Sequence, residues 1–285
     1  MFADNFWLFG CSADELSKMT TFWIKLLQRA GWQVPLDEAT WCTSAADEIS
    51  GKVNACGLSV KRACRNVGFK ALGVQVTFDN QFGVELGSRI KAAWRSYHKY
   101  QDLLCCHSAP MSKRLKLLGV AVQPTLFWCA GSWNLTSQQL GQLRAVQQRM
   151  VRKMLGCRRG SGEQLAEYMV RTARVMKNLM QRHGFERWDL FYHRMQFAWG
   201  GKVARMAQDC PDRLTYHVFK YRDIGWIHSI ADQNHGNQLH CRKVHTWRWE
   251  RCFMKYNPKW QLQALDKVAW TKSLNDMVLW RCAHR

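Results

Sequence analysis

Several groups of side chains in this sequence have the types and spacing for chemistry. Asp4 stands in MFADNFWLFG, in the company of Phe2, Ala3, Phe6, Trp7, Leu8 and Phe9. A carboxylate beside a stretch that favours a buried strand must be solvated, ion-paired or bound to a cation, because burying it alone is costly. On these residues alone, a wet aspartate in the turn leading a strand is the simpler reading. A second group is one-signed. Between Asp102 and Glu163 there is no acidic residue, while Lys113, Arg114, Lys116, Arg144, Arg149, Arg152, Lys153, Arg158 and Arg159 all lie there. Arg149, Arg152 and Lys153 share a helix face by the three-and-four spacing. Most charge runs are solvated faces of mixed sign. This run is not mixed, which points to contact with phosphates.

Other clusters carry less. His235, His240, Cys241, His245 and Cys252 are zinc-ligand types. No Cys-x2-Cys pair spaces them, and adjacent His240 and Cys241 do not easily ligate one ion, so ordinary loop histidines are expected. Adjacent Cys105 and Cys106 read as partly buried thiols. Trp188, Trp199, Trp247, Trp249, Trp260 and Trp270 are able to stack on single-stranded bases. Their helical spacing makes them core residues first, since large aromatics dominate core burial.

The whole chain agrees with a basic, folded protein. Its 285 residues include 42 Lys and Arg against 21 Asp and Glu, a formal net charge of +21. That balance favours a polyanionic partner, nucleic acid foremost and an anionic membrane surface second. Fifteen tryptophans argue against disorder. The twelve cysteines follow no secretory signal and sit in a chain too long for a disulfide-stapled scaffold. Free thiols and a nuclear or cytoplasmic, non-secreted location are therefore expected. The longest uncharged run, Leu117 to Leu143, holds Gln123, Pro124 and Asn134; it reads as buried helix, not as a membrane span.

These groups must be positioned by an α+β arrangement: small strand sets near the N-terminus, then mainly helix. Ser12-Ala13-Asp14-Glu15 is a capping box, followed by Leu16, Met19, Trp23, Leu26, Leu27 and Ala30 at helical spacing, so a helix is expected over 12–30. A turn at Pro35 leads to a short strand, and residues 44–66 are uninformative. GFKALGVQVTF, from Gly68 to Phe78, reads as a strand pair or bulged hairpin about Gly73. Helix is expected from residue 88, with a stripe of Ile90, Ala93, Trp94 and Tyr97 and a bend near Pro124. Thr136-Ser137-Gln138-Gln139 is a second capping box ahead of Leu140, Leu143, Val146, Met150, Met154 and Gly156. Residues 160–285 read as helical with breaks at His183-Gly184, Gly200-Gly201, Pro211 and 232–238.

The order of these features resembles the end of the palm and the thumb of a non-LTR (LINE-type) retrotransposon reverse transcriptase. Phe2-Ala3-Asp4-Asn5 is similar to the family's aromatic-Ala-Asp-Asp box, with Asn5 at the second aspartate. GWQVPLDEAT follows the helix as in the family, although Ala39 stands where a lysine is usual. Ala71-Leu72-Gly73-Val74 resembles the hairpin that grips the primer. RIKAAWRSYHKYQDLL, KLLGVAVQPTLFWCAGSWNLT and QLRAVQQRMVRKMLGCRR resemble the thumb and its continuation. ERWDLFYHRMQFAWGGKVARM and KWQLQALDKVAW are similar to stretches beyond it.

The resemblance implies a partial palm at 1–83, a basic helical thumb at 84–159 and a helical extension at 160–285. It implies RNA-directed DNA polymerisation in the parent enzyme, by phosphoryl transfer on two Mg²⁺ ions. Asp4 would be a direct Mg²⁺ ligand, Asn5 a neutral neighbour, Leu72 and Gly73 the primer grip, and the basic run the contact to RNA template and DNA primer. It also implies that the fingers and the palm strand bearing the other aspartate lie upstream of Met1, so this chain alone is expected to be inactive. Two alternatives stand beside it: a non-catalytic nucleic-acid-binding module, in which Asp4→Ala changes nothing, and a degenerate relic without function.

Overall fold

The Ser12 hydroxyl accepts a hydrogen bond from the Glu15 N–H at 3.1 Å, and the Glu15 carboxylate accepts from the Cys11 N–H at 2.7 Å. This cap starts α1 (Ala13–Arg29), as expected for the capping sequence. In the computed structural model, residues 6–43, 51–64, 68–71, 73–77, 82–209 and 248–283 are described. Asp4, Asn5, Leu72, Phe78, Pro211, the 232–238 break and all of the His/Cys cluster except Cys252 lie outside them.

The chain divides into two compact units, Met1–Ser88 and Arg89–Arg285. In the first, α1 packs on a two-stranded hairpin, β2 (Asn54–Ala55) with β3 (Leu58–Ser59). β1 (Thr40–Trp41) pairs in parallel with β4 (Lys61–Arg62). The core is Ile24, Trp41, Val53, Ala55 and Val60. The packed side of α1 coincides only in part with the stripe that hydropathy marks: Leu16 packs on this core, but Trp23 and Leu26 are exposed and Ile24 is the fully buried residue of the helix. The reason is polar. The hydroxyls of Ser17 and Thr21 accept the N–H groups of Asn54 and Cys56, at 3.0 and 3.3 Å. Those otherwise unpaired donors turn the helix's small and hydroxylated face toward the hairpin.

β5 (Phe69–Ala71) and β6 (Val74–Val76) pair antiparallel, with Ala71 opposite Val74. The link is a two-residue turn containing Gly73, at a φ of 81°, so the ladder is regular and carries no bulge among the described residues. Next, α2 (Phe82–Lys99) begins six residues before the expected start. Glu85 in its first turn is buried and accepts the Gln75 N–H at 2.7 Å.

The second unit is helical: α3 (Gln101–Leu104), α4 (Met111–Leu117), α5 (Gln123–Leu126), α6 (Ser137–Leu155), α7 (Leu165–Arg182) and α8 (Trp188–Asp209). They are followed by α9 (Arg248–Tyr256), α10 (Trp260–Leu265) and α11 (Lys267–Ala283). The bend expected near Pro124 is a π-helical turn over Leu118–Val122, where the Ser96 hydroxyl donates to the Ala121 carbonyl at 2.8 Å. Proline lacks the N–H that a regular helix would use, and the widened turn absorbs that loss.

α7 ends at Arg182, as the His183-Gly184 break predicts. The Gly200-Gly201 pair does not break α8. A Cβ on Gly200 would overlap the Phe253 ring and one on Gly201 the Trp270 ring. The glycines are there to let aromatic rings reach the helix backbone. Those rings belong to a core of Phe197, Phe253, Trp260, Trp270, Met277 and neighbours. Trp188, Trp260 and Trp270 are buried, so these tryptophans serve the core as expected.

Candidate nucleic-acid interface

The basic run is organised by α6. Its cap is reciprocal: Thr136 Oγ1 accepts the Gln139 N–H at 3.3 Å, and Gln139 Oε1 accepts the Thr136 N–H at 2.8 Å. Leu140, Leu143, Gln147, Met150 and Met154 then recur every three or four residues and are buried. Gln147 locks the seam, donating to the Glu186 carbonyl at 2.9 Å and accepting the Trp188 N–H at 3.0 Å. With that side committed to the core, Arg149 and Lys153 are left exposed and Arg152 half-buried.

The last four carbonyls of a helix lack intrahelical partners; here those of Lys153 and Met154 are met, and a further donor reaches the turn before them. Tyr97 Oη donates to the Met150 carbonyl at 3.3 Å. Burial pushes the Tyr97 phenol well above its ordinary pKa, with the Cys105 thiol beside it adding to the shift. Arg114 Nη1 donates to the Met154 carbonyl at 2.6 Å and to the Leu104 carbonyl at 3.3 Å, while its Nε donates to Ala109 at 3.1 Å. The Gly156 N–H takes the Lys153 carbonyl. Gly156 has a φ of 63°, and a Cβ there would meet the His107 ring at 3.0 Å. Both facts require glycine at this stop.

The loop after α6 is tied down by α7. Tyr168 Oη donates to the Cys157 carbonyl at 3.0 Å. Arg171 grips Glu163 with two bonds, at 2.7 and 2.8 Å, and donates to the Arg158 carbonyl at 3.1 Å. The Arg171 guanidinium, helped by the Gly160 N–H, lowers the Glu163 carboxyl from its ordinary 4.5 to about 2.

These elements enclose a groove of about 600 Å³. It is lined by Trp94 and His98 of α2, Arg149, Arg152 and Lys153 of α6, Gly156, Cys157 and Arg158 of the loop, and Tyr168 of α7. Four cations face it, and among the described residues no carboxylate lines it. Lys153 Nζ sits 5.3 Å from the centre of the Trp94 ring, and the Arg152 guanidinium 5.7 Å from that of Tyr168. Trp94 stacks on His98 at 5.6 Å and 27°. His98 Nδ1 pairs with Gln101 Oε1 at 2.8 Å. The Arg152 Nε–H is shielded from water and has no partner among the described residues.

The nine basic residues of the run thus part company. Arg149, Arg152, Lys153 and Arg158 converge on the groove. Lys113, Lys116 and Arg159 are exposed elsewhere on the surface. Arg144 lies 3.7 Å from the buried Asp189, which Arg187 also holds at 2.6 Å. Arg114 is buried, and its guanidinium is committed to carbonyls; its role is to close the end of α6, which corrects the expectation of phosphate contact. Gly73 is exposed at the tip of its hairpin. The aromatic wall was not anticipated. Trp94 reads in sequence as one member of a core stripe, yet it is half-buried, while its stripe-mates Ala93 and Tyr97 are fully buried.

No metal-binding constellation accompanies the groove: among the described residues, no three His, Cys, Asp or Glu side chains gather to hold an ion. Cys252 belongs to the tryptophan-rich core. None of the described cysteines is disulfide-bonded. The Cys106 thiol is shifted below its ordinary pKa by the Ser108 hydroxyl at 3.0 Å and by backbone N–H groups. Among the described residues no helix is long and apolar enough to cross a membrane. Comparison with protein-family models, with curated proteins and with solved structures finds no match.

Proposed function

We propose that this chain is the nucleic-acid-holding part of a LINE-type reverse transcriptase, with residues up to the β5–β6 hairpin as the end of the palm and the helices from α2 to α6 as the thumb. The groove at the end of α6 holds the phosphates of template or primer. The observation that carries the reading is the convergence of Arg149, Arg152, Lys153 and Arg158 on one concavity that no carboxylate among the described residues lines. Cations three and four residues apart on a helix repel one another, and an anion between them relieves that cost. Phosphate is the anion that a one-signed protein surface of this kind meets most often. The assignment to the retrotransposon family rests on the ordered resemblance from the FADN box to the basic helix.

The test is fluorescence anisotropy of a labelled RNA–DNA hybrid with a single-stranded overhang, together with primer extension in Mg²⁺. Binding weakened at least ten-fold by Arg149→Glu with Arg158→Glu, at unchanged helical circular dichroism, is the expected result. Equal binding by both proteins rejects the groove as the interface. Primer extension that is lost with Asp4→Ala would assign catalysis to this chain; binding without extension leaves it as the binding part alone.

A further inference from the structure

The groove carries an aromatic wall as well as charge, and the two together specify what kind of strand fits. A duplex presents phosphates but hides the faces of its bases, which are stacked on one another. An unpaired nucleotide presents both a phosphate and a free base face. A flat basic surface suffices for a duplex backbone. Here the cations rim an open concavity of about 600 Å³, and the aromatic rings beside them offer a stacking face for which a duplex has no use.

The wall is built to stay in place. The Trp94 ring stacks on His98 and meets Tyr97 edge-on at 5.4 Å. Tyr97 is in turn anchored to the Met150 carbonyl, and His98 is held by Gln101. Lys153, an exposed, unbranched ammonium, lies over the Trp94 ring at 5.3 Å from its centre. An ammonium seeks the negative face of an indole, and a stacked base competes for the same face. Displacing Lys153 from the ring frees its charge for the adjoining phosphate, so base stacking and phosphate pairing reinforce each other.

Accepting the groove as the nucleic-acid site, we propose that it binds an unpaired nucleotide. The base lies against the Trp94–His98 stack, and the flanking phosphates rest on Arg149, Arg152, Lys153 and Arg158. The groove takes single strand in preference to duplex, and its stacking wall tolerates any base, since every base has a π face.

Three labelled probes test this with the whole chain: a short oligothymidylate, an abasic strand of the same length, and a blunt duplex of that length. The oligothymidylate should bind about ten-fold more tightly than the abasic strand, the worth of roughly one stacked base. Trp94→Ala and His98→Ala should each remove most of that difference. Photocrosslinking with 4-thiouridine strands gives a second readout that needs no variant, and the adduct should map to the peptide containing Trp94 and His98. Equal binding of base-bearing and abasic strands, tighter binding of duplex, or an adduct elsewhere overturns the inference while leaving the phosphate groove standing. Failure of all three probes to bind overturns the groove's role altogether.

Discussion

Raising the salt concentration tests how many of the chain's cations meet phosphates. Each phosphate neutralised on a single strand releases condensed counterions and adds about −0.7 to the slope of log K against log salt. Arg149, Arg152, Lys153 and Arg158 line the groove, so four contacts give a slope of about −2.8. Between about 50 and 200 mM salt, affinity should then fall about fifty-fold. Replacing Arg149 and Arg158 together by alanine leaves two contacts, a slope of about −1.4 and a loss of about seven-fold over the same range. The nearby Arg171 adds nothing to the sum, because Glu163 already neutralises it. Arg114 adds nothing because it is buried. Anisotropy titrations of a labelled single strand across a potassium chloride series measure both slopes. If all nine cations of the acid-free run made contact, the slope would approach about −6. A slope that steep, or one that the double substitution leaves unchanged, refutes the confinement of binding to the groove.

Two further predictions concern the scaffold. Arg114→Met strips three backbone carbonyls of their charged donor and should destabilise the protein by about 3 kcal/mol. Urea unfolding should show this as a lower midpoint at unchanged slope, and a shift worth less than about 1 kcal/mol would show the guanidinium to be dispensable. Glu163 has a folded-state pKa of about 2, below its ordinary 4.5. Its contribution is therefore complete above the ordinary value and is lost as pH falls through about 2. The Arg158 loop should stay tethered at pH 4. Carbon-detected NMR titration of the Glu163 carboxyl should place its midpoint near 2, and an ordinary carboxylate midpoint would refute the bidentate pairing with Arg171.

Local rules made α6 legible. A capping box, a three-and-four hydrophobic repeat and a terminal glycine all agree over one segment, and the structure follows each of them. α1 was legible in extent but only in part in facing, because the hydroxyls of Ser17 and Thr21 outweigh Trp23 and Leu26 in choosing its packed side. Hydropathy counts a hydroxyl as polar and is blind to the unpaired N–H groups of a hairpin that the hydroxyl can satisfy. The β2–β3 hairpin was hidden for another reason. Its two-residue turn is Cys56-Gly57, with positive φ at both residues, where such turns usually carry Asn-Gly or Asp-Gly. Gly200 and Gly201 look like a helix break because their partners Phe253 and Trp270 are distant in sequence. The groove was half legible. Its cations lie on a single helix and its exit, whereas Trp94, His98 and Tyr168 arrive from other helices.

The place of the groove has a physical consequence for how it would hold an anion. Helix N-termini bind anions through free N–H groups and a favourable dipole. This groove lies at a C-terminus, where the partial charge is about −0.5 and repels an anion. The same dipole attracts cations, which accounts for Arg152 and Lys153 in the last turn of α6 but not for Arg149, one turn earlier, or Arg158, beyond Gly156. Nor are the cations needed to cap Lys153 and Met154. Tyr97, Arg114 and the Gly156 N–H already take the carbonyls of Met150, Met154 and Lys153. Four side chains thus bring positive charge to a helix end whose own field opposes an anion. A phosphate held here, as proposed, would rely on side chains and not on the helix dipole, so each cation removed should weaken binding in turn.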